Sequence, residues 1–176
     1  MRSALALLIL AGFAGGCSNV LEGGGITESD VEAIQPGNGN GVIFSGTWKL
    51  QTTVSESTCG GLLPLLPATG DTDEEDISFV QTGGELTRGI DDLGDSYAFR
   101  GAVNQDGTFT YGQYYDLGLG DLSIRYIEIV DGKVELTNGT AAKLEGTAVR
   151  RYQSGLIDCS ANVTLTGSRT AIGGGS

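Results

Sequence analysis

The chain contains no histidine, so nucleophile–imidazole pairs are excluded and the commonest general base is missing. The groups left for chemistry are the cysteines at 17, 59 and 159 and 22 acidic side chains. Carboxylate pairs such as Asp91–Asp92 sit in turn sequence, where solvent keeps them ordinary acids. The only glycine run resembling a phosphate loop, "GGGI", is not followed by the Lys such a loop needs. No catalytic residue, no cofactor and no resident metal are therefore expected. The run Asp71, Asp73, Glu74, Glu75, Asp76 offers oxygen ligands of the kind Ca²⁺ takes, but it lacks the turn glycine and terminal Glu of an EF-hand loop. It reads as a solvated charge run. A net charge of −12, with 10 scattered Lys and Arg, argues against a nucleic-acid groove. Binding is the class of function that remains.

Cys17 stands apart from the other two cysteines. It follows Arg2 and the apolar run "ALALLILAGFAGG", which has the anatomy of an export signal and is too short for an ordinary membrane span. The site "AGGC" resembles the lipobox of bacterial lipoproteins, with Ala14 where that family usually has Leu. The resemblance implies that residues 1–16 are removed and that Cys17 is diacylated and becomes the N-terminus. Ser18, which is not the Asp that retains such proteins at the inner membrane, implies the outer membrane. A membrane partner through the lipid anchor follows. Cys59 and Cys159 then form an even pair in an oxidising compartment.

The elements that must position these residues read as β. Residues 17–45 have the composition of a flexible tether, with "TESDVEAI" able to form one or two helical turns. Residues 171–176 read as a frayed tail. Between them, residues 46–170 alternate. Trp48, Leu50, Thr52 and Val54 share one face of the first run, and further short runs follow. "TGG", "NQDG", Asp131-Gly132 and Asn138-Gly139 read as tight turns between them. Such a meander must curl to hide its edges. The expected fold is all-β, a small antiparallel up-and-down barrel of about eight strands, with a β-sandwich as the alternative. Nine runs can be counted, whereas antiparallel closure needs an even number. The short run "KVELT" is the one to merge with a bent neighbour.

Closing the meander pairs the first strand with the last and brings Cys59 to Cys159, either as a disulfide or as two buried thiols. That pairing sets opposed residues to sum to about 218 and places Trp48 opposite Thr170, beside Arg169. "GTW" at Gly46–Trp48 opening the first strand, with Arg169 closing the last, resembles the structural signature of lipocalins and their calycin relatives. The resemblance implies that Trp48 plugs one barrel end under Arg169 by a cation–π contact. It also implies that the loop after the first strand folds over the open mouth. The other reading leaves Trp48 as core and Arg169 in solvent.

That loop carries Leu62, Leu63, Leu65 and Leu66. They are expected to form a lid over an apolar cavity, to dip into a membrane or partner, or to cap one end as a small core. Tyr97, Phe99, Phe109, Tyr111 and Tyr126 are the candidate ligand contacts. The same rings would also fill an eight-stranded barrel solid. Two functions stay open: a carrier of a small hydrophobic ligand, or a solid barrel acting on an envelope protein or as an enzyme inhibitor.

Overall fold

The computed structural model describes residues 25–60, 66–88, 97–119 and 122–172. A short helix, α1 (Glu28–Glu32), precedes eight strands: β1 (Gly46–Ser57), β2 (Thr72–Thr82), β3 (Glu85–Arg88), β4 (Ala98–Val103), β5 (Thr108–Leu119), β6 (Leu122–Thr137), β7 (Thr140–Gln153) and β8 (Asp158–Ile172). Each strand pairs antiparallel with the next, and β1 pairs with β8, so the sheet closes into a barrel. The expected barrel is present, with a single closed sheet rather than a sandwich.

The merger of runs falls where the sequence showed its weakest strand. Asp131-Gly132 is not a hairpin turn; it lies inside β6, and "KVELT" continues that strand. The reason is packing. Gly132 pairs with Gly146 of β7, and a Cβ at Gly132 would stand 2.5 Å from the Phe109 ring. The glycine there admits a core ring rather than a positive φ. The real turn is at Asn138-Gly139, where both residues have positive φ, 52° and 78°.

The acidic run is built into a strand: Asp73, Glu74, Glu75 and Asp76 belong to β2 and pair with β1, with all but Glu75 exposed. Glu74, on the outer face, meets Lys49 of β1 at 2.7 Å. Glu75 sits opposite the inward-facing Leu50 and therefore points into the barrel.

The β1–β8 register also departs by one residue. A shift between Val54 and Glu56 sets Trp48 directly opposite Arg169, not Thr170, and a second shift between Thr47 and Trp48 restores the original register beyond it. At this end Phe44 turns inward and packs against Trp48, Phe79 and Phe109 in tilted and edge-on contacts, with centroids 5.1–5.3 Å apart. The Trp48 indole N–H donates to the Phe44 carbonyl at 3.0 Å. Arg169 lies 5.1 Å over the Trp48 ring and donates to the Ile43 carbonyl.

Residues 25–45, expected to belong to a tether, lie against the barrel over their whole length. Val31 of α1 is 0 % exposed. It packs over Gly112 of β5, where a Cβ would meet Val31 and Ile34 at 3.0–3.2 Å. The capping box of Thr27 and Asp30 supports the helix start.

At the opposite end Cys59 and Cys159 form a disulfide, closing a span of 100 residues. In the chain-entropy account such a link raises stability by roughly 4–5 kcal/mol. Replacing both cysteines by Ser should lower unfolding free energy by about that amount in a urea titration. A loss below about 1 kcal/mol would show that the denatured chain is already held together there.

Candidate functional site

Strand alternation decides which side chains meet inside. On β5 the inward residues are Phe109, Tyr111, Gln113, Tyr115 and Leu117; on β6 they are Ile124, Tyr126, Glu128, Val130 and Val134. Arg150 of β7 sits opposite Glu128, and Arg88 at the end of β3 is opposite Phe79 of β2. The barrel interior thus has three layers. An aromatic core fills the Trp48 end, a belt of charge crosses the middle, and tyrosines and the disulfide occupy the other end.

The belt is one hydrogen-bonded chain. Arg150 Nε donates to Glu128 Oε1 at 2.7 Å, and Gln113 Nε2 donates to Glu128 Oε2 at 2.7 Å. Arg88 Nη1 donates to Gln113 Oε1 at 2.7 Å, while its Nη2 lies 3.6 Å from Glu75 Oε2. Glu128 is 2 % exposed. Its charge is tolerable only because both oxygens are satisfied and a cation adjoins it. Two guanidinium groups and two carboxylates balance across the lumen.

Above the belt, Tyr97, Tyr115, Tyr126 and Tyr152 step across neighbouring strands, with ring centroids 4.9–6.2 Å apart. Burial, with the Glu128 charge, pushes the Tyr115 phenol up to about 12. Burial likewise pushes Tyr152 up to about 12, against the opposing pull of Arg150. Both are neutral donors at physiological pH. The Tyr97 hydroxyl is shielded from solvent and has no hydrogen-bond partner among the described residues. A cleft of about 560 Å³ enters at this end. Its lining is mostly polar, from Thr52, Asp71, Thr72, Asp73, Arg150 and Tyr152, with Val54, Leu66 and Pro67 as the apolar members.

The residues singled out from sequence fall into separate places. Tyr111 stacks on both Phe99 and Phe109 and tilts against Phe79 in the closed half, with centroids 5.4–6.3 Å apart, and all of these rings are buried. Tyr97 and Tyr126 belong to the tyrosine layer. Leu66 packs beside the disulfide and reaches the cleft. Gly46, Trp48 and Arg169 meet at the closed end. Cys17, Leu62, Leu63 and Leu65 lie outside the described residues. The belt itself was missed. Its signal was present, since Gln113, Glu128 and Arg150 each interrupt an apolar strand face: "YGQYY", "YIEIV" and "AVRRY". The outward-facing Ile127, buried on a strand that α1 touches, hid that pattern by making both faces of β6 apolar.

Comparison of the chain with family models, with curated proteins and with solved structures finds no match. The site's own chemistry therefore carries the functional reading.

Glu75 gives that chemistry a pH signature. Burial, and then the Glu128 charge, raises its carboxyl above the ordinary value of 4.5, with Arg88 and Arg150 opposing. A carboxyl raised in the folded state contributes stability below about pH 4.5, and that contribution is lost as pH rises through the folded pKa. Glu75→Gln should therefore raise the melting temperature relative to the parent at pH 7, and the gain should vanish near pH 4. A gain equal at both pH values would contradict the placement of this carboxylate.

Proposed function

We propose that the chain is a bacterial lipoprotein, acylated at Cys17 and held at the outer membrane. In this reading its barrel binds an amphiphile with a single anionic head at the disulfide end. One observation carries the ligand class. Among the described residues Arg150 gives only its Nε to Glu128, which leaves both terminal amino groups for the cleft it lines. A guanidinium fork with two free amino groups suits a carboxylate or phosphate oxygen pair. Val54, Leu66 and Pro67, the apolar members of its lining, offer the apolar part of the ligand a small surface.

A wholly hydrophobic ligand deep in the barrel is poorly supported, because the apolar half is filled by Phe44, Trp48, Phe79, Phe99, Phe109 and Tyr111. That filled core favours a second reading, a solid barrel acting through its surface on an envelope protein.

Native mass spectrometry of the protein extracted from membranes tests the proposal. The expected spectrum shows covalent acylation on Cys17 and a non-covalent adduct with the mass of one fatty acid or lysophospholipid, lost on denaturation. An acylated chain with no adduct, and no uptake of a fluorescent fatty acid, would favour the second reading.

A further inference from the structure

Residues 25–44 run down the barrel wall from one end to the other. At the disulfide end Arg151, two positions before the end of β7, donates from Nη1 to the carbonyls of Gly25 and Ile26 at 3.3 and 3.1 Å. Its Nη2 holds Asp158, at the start of β8, at 2.8 Å. Next along the wall, Arg125 reaches Glu28 at 3.3 Å and Asp116 at 2.8 Å. Midway, Val31 packs over Gly112, and the Tyr114 hydroxyl donates to Glu32 at 2.9 Å. Further on, the Gly37 N–H donates to the Gly84 carbonyl at 3.0 Å, in the β2–β3 turn. The strap ends with Phe44 plugging the closed end.

Gly25, the described residue nearest to Cys17 in sequence, therefore lies at the disulfide end. Only eight residue steps separate Gly25 from Cys17, about 27 Å when fully extended. The barrel wall itself is roughly 30 Å tall for twelve-residue strands tilted near 40°. An acyl anchor on that length of chain holds the disulfide end towards the bilayer and leaves too little slack to bring the closed end onto it.

The same end presents an apolar side chain to solvent. Leu156 is 93 % exposed. It stands on a defined turn in which the Ser154 hydroxyl accepts from the N–H groups of Leu156 and Ile157, and the Ser154 N–H donates to the Ile157 carbonyl.

We propose that the docked strap orients the barrel with its disulfide end on the lipid surface, where Leu156 enters the interface and the Arg150 cleft opens towards lipid. The inference deepens the ligand reading and rests on acylation at Cys17. A cleft that faces the bilayer draws its amphiphile from the membrane rather than from solution.

The test uses the mature protein acylated at Cys17 in phosphatidylethanolamine–phosphatidylglycerol vesicles containing lipid brominated in its acyl chains. Leu156→Trp places a reporter at the disulfide end and Leu136→Trp places one near the closed end; the parent, with Trp48 alone, sets the baseline. The expected result is loss of the larger part of the added Leu156→Trp emission, with little loss from Leu136→Trp. Greater quenching of Leu136→Trp, or quenching of neither in vesicle-bound protein, overturns the orientation while leaving the anchor intact. An intact mass without acylation at Cys17 overturns the anchor, and the orientation falls with it.

Discussion

The interior depends on one interaction, the pair between Arg150 and Glu128 at 2.7 Å. An eight-stranded barrel has just enough room for side chains, and an apolar filling would be the simplest. Here a carboxylate 2 % exposed must be compensated in place. That requirement recruits Gln113 to its second oxygen, and Gln113 in turn holds Arg88. The belt divides the lumen: aromatic packing lies on one side of it, and the tyrosine layer, the disulfide and the cleft on the other. Replacing a buried ion pair by well-packed apolar groups is often neutral or stabilising. Under the proposed function, its place beneath the cleft serves recognition rather than stability.

The closed end is built by a different logic. Phe44 is not part of any strand; it is delivered by the segment that begins beside Arg151 and follows the wall downward. Trp48 fixes that segment through the Phe44 carbonyl, and Arg169 through the Ile43 carbonyl. The cation–π contact contributes about 0.5–2 kcal/mol, and the two carbonyl bonds keep the plug seated. Both ends are thus pinned where the two strands that close the sheet meet: by Trp48 and Arg169 at one, and at the other by Cys159 and Cys59, two residues beyond β1.

Much of the frame was legible in the sequence because its signals are local. Asn138-Gly139 turns as two residues with positive φ must. The disulfide followed from the topology of a closed meander, and Trp48 facing Arg169 followed from it to within one residue. What was not legible needs partners distant in sequence. Asp131-Gly132 has the letters of a hairpin, but Phe109 from β5 claims the space at Gly132. Glu75 reads as one acid among several, and only Leu50 across the pair shows that it faces inward. α1 is too short to stand alone; Gly112, Arg125 and Arg151 on three different strands hold it and its entry. The belt announced itself only as polar letters on apolar faces.

The most direct test removes the buried pair without leaving either charge behind. Glu128→Leu combined with Arg150→Met should unfold at the same or a higher denaturant concentration than the parent, while uptake of a fluorescent fatty acid falls at least about tenfold, the scale of one lost charge-assisted contact. A double variant that binds as the parent does, or that is destabilised as strongly as Glu128→Leu alone, would contradict the claim that the pair is kept for recognition.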